Sequence, residues 1–333
     1  MMARQILVAT VLALGLLGAA LGQPATKVYC VGWLGNTAYN TPDDDRNIAA
    51  FRQRLHELGF VEGTNLVIEW RYAEGHNERY ADFAAELVRL KADAVVAGSG
   101  AAARAVMAAS RTLPIVTLAA PDPVRSGLVA SLARPGGQLT GLTNLPDDLV
   151  PKQLELLKAA VPTVKRVAYL RCSRCFAMSG AGEAETATNF RIHAEAASRL
   201  GLVWEALDLN DSADFAGVAA RLRSDPPDAL LLGANQITFA LQREWHALAT
   251  ELRVPIFAAY RGFGATFSYG PEYAGAMRRV ADYVARILRG AWPGELPMEQ
   301  PTLFEFVVNA KAMRAMGLEV TPDLRMRADV ILE

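Results

Sequence analysis

Apolar runs rich in β-branched residues alternate along this chain with longer stretches in which apolar residues return every three or four positions. The first pattern is that of buried strands, the second that of amphipathic helices. Lys27 to Leu34 reads as a strand. Ile48, Phe51, Leu55 and Leu58 then mark one face of a helix that Asp43 to Asp45 open and Gly59 stops. Strands follow at Leu66 to Trp70, Ala94 to Ala97, Pro114 to Leu118 and Leu139 to Thr143, with helices at Asn77 to Leu90 and after Gly100. The order then starts again with a helix after Pro146. Strands fall at Val167 to Leu170, Val203 to Leu209, Ala229 to Leu232 and Pro255 to Ala258, and helices at Glu183 to Leu200, Phe215 to Leu222 and Thr238 to Leu252.

The two cycles match in detail. Glu57-Leu58-Gly59-Phe60 is echoed by Arg199-Leu200-Gly201-Leu202; Gly59 precedes Pro114 by 55 residues and Gly201 precedes Pro255 by 54. Such alternation builds parallel sheets covered on both faces, so the expected fold class is α/β, two similar doubly wound lobes with a ligand cleft between them. After the second cycle the pattern breaks. Thr266 to Tyr269 reads as a strand, Gly270-Pro271 as a corner and Tyr273 to Leu288 as a helix. Trp292-Pro293 and Pro297 mark a linker before a last strand, Leu303 to Val308, and a short C-terminal helix. This tail is long enough to return to the first lobe and cross again. The expected division is 27–143 with 271–297 in lobe one and 146–268 with 302–333 in lobe two, joined by a multi-segment hinge.

At 333 residues and 52% apolar content the chain can fill two cores. With 34 basic and 35 acidic residues and no long run of like charge, nothing resembles the footprint of a nucleic-acid binder. The partner is therefore a small molecule or another protein. The N-terminus departs from the rest: Arg4, the apolar run Ile6 to Leu21 and small residues ahead of Pro24 have the layout of a secretory signal, residues 1–22, cleaved near Gly22. An uncleaved anchor is the alternative, although the run is short for a spanning helix of about 20 residues.

Several long motifs resemble those of substrate-binding proteins of a bacterial ABC transporter family related to tryptophan and tyrosine uptake components. They are Pro121 to Val129 (PDPVRSGLV) with SLARPGGQLTGLTNL and KQLELLK after it, Ser268 to Tyr273 (SYGPEY), and Gln300 to Leu318 followed by PDLRMRADVIL. The resemblance covers essentially the whole chain after the signal. It implies a type I periplasmic-binding-protein fold that closes its cleft on a ligand by hinge motion. It also implies a monomeric, periplasmic, non-enzymatic protein without a cofactor, delivering its solute to a membrane permease whose ATPase subunit hydrolyses ATP.

In such sheets the ligand sits beyond the strand carboxyl ends, where helix N-termini present unpaired N–H groups. Ser99, Gly100 and Ala101 are the leading candidates, because small residues let an anion approach and the helix dipole favours its charge; the alternative is a plain turn in which Gly98 and Gly100 serve geometry. Asn36 and Thr37, Asp122, Asn235, and Tyr260 with Arg261 occupy equivalent loops. Trp33, Tyr39, Phe176, Tyr260 and Phe263 are candidates for an aromatic lining or for core. A zwitterionic amino acid needs a carboxylate for its ammonium. The stretches where the resemblance leads one to expect it read Gly233-Ala234-Asn235-Gln236 and Arg261-Gly262-Phe263. Asp122 remains, between two prolines that suit a turn equally. The expected ligand is thus a small neutral or anionic organic solute bearing a carboxylate, held by Ser99 and met by Arg261.

Cys172-Ser173-Arg174-Cys175 lacks a thioredoxin-like context, and His56, His76, His193 and His246 are not at metal-ligand spacing. In an exported protein a local disulfide is the expected state. The chain carries no G-x-S-x-G, Walker or H-E-x-x-H sequence, which leaves two functional classes. One is a transport receptor; the other is a ligand-sensing module of the same fold presenting its solute to a signalling receptor.

Overall fold

A computed structural model describes residues 27–36, 42–74, 76–144, 146–178 and 183–333. The signal segment, Thr37 and Tyr39 lie outside the described residues, as does the side chain of Phe176. The first lobe is a five-stranded parallel sheet in the order β2-β1-β3-β4-β5, formed by Tyr29–Gly35 (β1), Leu66–Tyr72 (β2), Ala94–Ala97 (β3), Ile115–Pro121 (β4) and Leu139–Asn144 (β5). The second is a seven-stranded sheet in the order β12-β11-β10-β9-β8-β6-β7. Its strands are Arg166–Arg171 (β6), Val203–Asp208 (β7), Ala229–Leu232 (β8), Ile256–Ala258 (β9), Phe267–Pro271 (β10), Phe304–Asn309 (β11) and Val330–Leu332 (β12). Only the β10–β11 pair in it is antiparallel.

The period-two pattern divides each sheet's side chains between two cores, as strand geometry requires. In β3, Ala94 and Val96 join one core of the first lobe and Val95 and Ala97 the other. In β8, Ala229 and Leu231 take one face and Leu230 and Leu232 the opposite one. The late helix Tyr273–Leu288 returns to the first lobe. There it sets Met277, Val280, Tyr283, Val284 and Ile287 into the same core as Val31, Phe51 and Leu55. At about 1.5–3 kcal/mol for each large side chain removed from water, that face ties a distant part of the chain firmly to the first sheet.

Three segments connect the lobes: the run after β5 into the helix Val150–Ala160, the Pro271 to Tyr273 corner, and the stretch from Glu299 to Phe304. They are bonded to one another. Thr143 N–H donates to the Glu299 carbonyl at 2.9 Å, Glu299 N–H to Gly141 at 3.0 Å and Glu272 N–H to Leu303 at 3.0 Å. Gly141 lies at φ +120°, and a Cβ there would stand 2.3 Å from the Thr117 carbonyl oxygen, beside a register shift in the β4–β5 ladder. The glycines of the Arg134-Pro135-Gly136-Gly137 motif pack on Pro293-Gly294, with Gly136 N–H donating to the Gly294 carbonyl at 3.0 Å.

The structure differs from the sequence reading in three places. The single helix expected at Thr238 to Leu252 is two, Gln236–Ala240 and Gln242–Leu252, with Leu241 off helical geometry between them. β4 runs on to Pro121 because β5 pairs with it as far as Asn144. The tail holds two short helices, Ala310–Ala315 and Pro322–Arg327, and a final strand, where the sequence suggested one helix.

Candidate functional site

The loops at the strand carboxyl ends repeat between the lobes. Gly98 N–H donates to the Leu34 carbonyl at 2.9 Å, and Gly233 N–H to Leu170 at 2.8 Å; each bond joins the end of a lobe's third strand to its first. A Cβ at Gly233 would lie 2.8 Å from the Leu170 oxygen, so close backbone approach accounts for that glycine, while one at Gly98 would meet Gly35 and Leu34 at 3.4 Å, the edge of ordinary contact. A cap and a helix follow in each case. Ser99 Oγ accepts Ala102 N–H at 3.2 Å, and Asn235 Oδ1 accepts Ile237 and Thr238 N–H at 3.1 and 2.9 Å.

Gly100 is different. A Cβ there would make an ordinary 3.6 Å contact with Leu128, and its backbone is outside the left-handed region. Neither packing nor conformation requires a glycine at this position. The helix Gly100–Ala109 begins here, and its first N–H groups have no partner within a helix. Capping uses an oxygen lone pair of Ser99 and leaves its hydrogen to donate. Tyr80, 2% exposed, brings its hydroxyl against Ser99 without an aligned hydrogen bond. Burial pushes the Tyr80 hydroxyl's pKa up and Ser99 offsets part of the rise.

Other expected residues have local duties. Asp122 is a turn residue at φ +31°, with Oδ1 accepting Arg125 N–H at 3.0 Å and Oδ2 2.8 Å from the Arg125 guanidinium. Its carboxylate is committed inside its own turn. The Asn235 side chain is occupied as a cap. Asn36 ends β1 with its Oδ1 buried and without a hydrogen bond among the described residues. Trp33 and Phe263 are core. Cys172 and Cys175 are disulfide-bonded with Cα atoms 5.2 Å apart, and Asn210 Oδ1 accepts from Ser173 Oγ and Arg174 N–H at the start of the short helix Ser173–Met178.

Arg261 does not stand open toward a ligand. Its Nε lies 2.8 Å from Asp43 Oδ1 of the other lobe, a charge contact without hydrogen-bond alignment, and its Nη1 lies 3.9 Å from Glu305. Reciprocally, Arg46 of the first lobe reaches Glu305 at 3.9 Å and Glu272 at 3.8 Å. Burial pushes the Glu305 carboxyl's pKa up; Arg261 and Arg46 pull it down, and Glu272 and Asp43 push it further up. Two guanidiniums thus bridge the lobes among three carboxylates. The sequence reading missed these acids. Asp43 was absorbed into a helix start, while Glu305 was legible as an acidic residue buried in the otherwise apolar run Phe304 to Val308.

An aromatic group gathers beside them. The Tyr260 ring stacks on Phe239 at 5.5 Å and meets Tyr273 edge-on at 5.0 Å, and Phe263 meets Phe239 edge-on at 5.7 Å. Tyr273 opens the helix that packs in the first lobe, so this contact also spans the cleft. Among the described residues no group of histidine, cysteine or acidic side chains is placed to hold a metal ion, and no helix is long and apolar enough to cross a membrane.

Two such lobes, with loops converging from the strand ends, define a periplasmic-binding-protein-like fold. Across residues 40–331 the sequence matches the family of ABC transporter substrate binding proteins, and the chain belongs to it. A tyrosine-binding protein of Clostridioides difficile (strain R20291) is 24% identical over 286 residues, 84% of this chain and 78% of the relative. The ABC domain from Streptococcus pneumonia in complex with L-Trp superposes with a TM-score of 0.78 at 21% identity, over 92% of this chain and 100% of that one. The ligand-free, open structure of a substrate-binding protein with adhesive properties from Clostridium difficile gives 0.63 at 23% identity, over 92% and 99%. The family is one of binding proteins rather than enzymes.

Proposed function

We propose that the protein is an exported receptor of an ABC importer that captures an aromatic, carboxylate-bearing solute between its lobes and hands it to a permease. Gly100 carries this reading: it is a glycine that neither packing nor backbone conformation requires, at the start of a helix whose dipole favours an anion. The aromatic group of Phe239, Tyr260 and Tyr273 suits a ring. Glu272 caps the helix that Tyr273 opens, with both oxygens accepting backbone N–H groups, and Asp43 is paired with Arg261, but Glu305 lies no closer than 3.9 Å to either arginine, which suits an ammonium and restores the amino-acid class that Asn235 and Gly262 had argued against. The tyrosine-binding relative and the Trp-bound neighbour support the same class. The ion pairs that join Arg261 to Asp43 and Glu305 to Arg46 across the cleft support taking the present arrangement as the closed one. Delivery then follows from reopening at the three-segment hinge.

Native mass spectrometry of the purified protein identifies the retained solute, and calorimetry with it tests the site. Gly100→Asp places a negative charge where the ligand's own must sit. It is expected to abolish binding while shifting the unfolding temperature little, since the new side chain meets Leu128 at an ordinary distance. Ser99→Ala is expected to weaken binding by about 1.5–3 kcal/mol, the range of a hydrogen bond to a charged group. Unchanged affinity in Gly100→Asp places the anion elsewhere.

A further inference from the structure

Beside the aromatic group, the second lobe holds a small recess lined by Gly233, Thr238, Phe239, Ala259, Tyr260 and Phe263, about the size of one water molecule. Its lining is almost wholly apolar and includes Thr238. Thr238 is 1% exposed, and its Oγ1 is buried with no hydrogen-bond partner among the described residues. The Thr238 main chain is already used, its N–H donating to the Asn235 cap at 2.9 Å. A buried hydroxyl without a partner is costly and uncommon in folded proteins. Here it sits where the ends of β8 and β9 meet the cleft, at the foot of the ring pair Phe239 and Tyr260.

We infer that this recess is a specificity subsite for the terminal hydroxyl of a hydroxylated aromatic carboxylate, with Thr238 as its hydrogen-bond partner. The inference rests on the proposed aromatic, carboxylate-bearing solute and adds which member of that class the site selects. The size, about that of one water, suits a hydroxyl. The apolar walls reject a charged tip, because a charge buried without a counter-charge is strongly disfavoured. The stacked rings beside the recess offer a surface for the aromatic body that carries the hydroxyl. A ligand lacking the hydroxyl leaves Thr238 unpaired or retains a water there, and such a loss is what lets a polar site reject a deoxy analogue.

The test compares two probe pairs that differ by one hydroxyl, tyrosine against phenylalanine and 4-hydroxyphenylacetate against phenylacetate, by calorimetry on the wild type, Thr238→Val and Thr238→Ser. The wild type is expected to prefer the hydroxylated member of at least one pair. Thr238→Val keeps the shape and removes the hydroxyl. It is expected to lose roughly three- to tenfold in affinity for the hydroxylated probe, leave the deoxy probe unchanged, and unfold at or slightly above the wild-type temperature. Thr238→Ser is expected to retain the discrimination. Undiminished discrimination in Thr238→Val, or no preference in the wild type, overturns the subsite. If neither pair binds while native mass spectrometry shows another solute in the cleft, the subsite is wrong and the receptor reading stands. Absence of any retained or added solute would remove both.

Discussion

Two glycines show how differently the same residue type is used. Gly270, in the Ser268 to Tyr273 motif, has Ala259 so close that an added Cβ would stand 1.8 Å from the Ala259 carbonyl oxygen, at the place where β10 leaves β9. Gly217 lies inside the helix Phe215–Ser224 with open space where a Cβ would point. Alanine at 270 must displace backbone and is expected to destabilise by about 3 kcal/mol or more, the upper range of overpacking. Alanine at 217 is expected to stabilise by about 0.5–1 kcal/mol. Urea unfolding of the two variants should move in opposite directions; a tolerated Gly270→Ala would show that the motif glycine is not steric. The Arg166–Asp225 pair offers a separate check. Both carboxylate oxygens of Asp225 accept from the Arg166 guanidinium, at 2.6 and 2.7 Å, and this lowers the Asp225 pKa from the ordinary 3.8 to about 2. A depressed carboxyl stabilises the fold above its unfolded value. That contribution is fully present above pH 3.8 and is lost as pH falls toward 2. An NMR titration should place the Asp225 midpoint near 2, and Arg166→Ala should return it toward 3.8. Because Asp225 is exposed, added salt should also raise the midpoint.

At the scale of elements the chain repeats one unit more often than the sequence suggested. Gly59 and Gly201 both end a helix in the left-handed region, and the next residue, Phe60 or Leu202, donates its N–H back to Leu55 or Ala197 at 2.9 Å. Gly317 does the same after the helix Ala310–Ala315, with Leu318 N–H reaching the Met313 carbonyl at 2.9 Å. Each unit then closes with an aspartate that stands just before a strand and accepts an N–H from near the start of the strand beside it in the sheet. Asp93 accepts Cys30 at 2.9 Å, Asp228 accepts Lys165 and Arg166 at 2.8 Å, and Asp329 accepts Phe306 at 2.7 Å. The first two units were legible because their helices are long enough to show a face. The third was read as a single helix because its two helices have six residues each and the strand between them is missing. Its aspartate and glycine were the surviving marks. Asp228→Ala removes the acceptor of two backbone N–H groups and is expected to cost about 1–3 kcal/mol by chemical denaturation, at about 0.5–1.5 kcal/mol per bond, whereas Asp211, likewise exposed but capping only the three-residue 3-10 turn Ser212–Asp214, should cost less when changed to alanine. Equal losses would mean that the strand-start carboxylates are not the devices that register the sheets.

For the whole molecule, the pattern of strands and helices foretold two lobes, but the contacts between them depend on side chains that are far apart in the chain and have no periodic mark. Asp43 pairs with Arg261 across 218 positions, and Arg46 with Glu305 across 259. These ion pairs cross the cleft in both directions, so they exist only while the lobes are together. Exposed pairs contribute about 0–1 kcal/mol each, but Arg261 and Glu305 keep only 18% and 10% of their side-chain surface exposed, where screening is weaker. The expected effect is a bias toward closure on the scale of 1 kcal/mol, enough to shift the open and closed populations severalfold. Arg261→Ala and Asp43→Ala should each enlarge the radius of gyration of the ligand-free protein in small-angle scattering and lower ligand affinity by the same factor, since the solute must then supply the closing energy alone. The double variant should lose less than the two single losses combined, because both remove one interaction. High salt should reproduce the change in the wild type and act less strongly in either variant, where only the Arg46 pairs with Glu305 and Glu272 remain across the cleft to be screened. A ligand that contacts Arg261 directly gives a different pattern: Arg261→Ala alone would lose affinity while Asp43→Ala, by freeing the guanidinium, would hold or gain it. The sign of the Asp43→Ala effect therefore decides whether Arg261 serves the solute or the closure of the lobes around it.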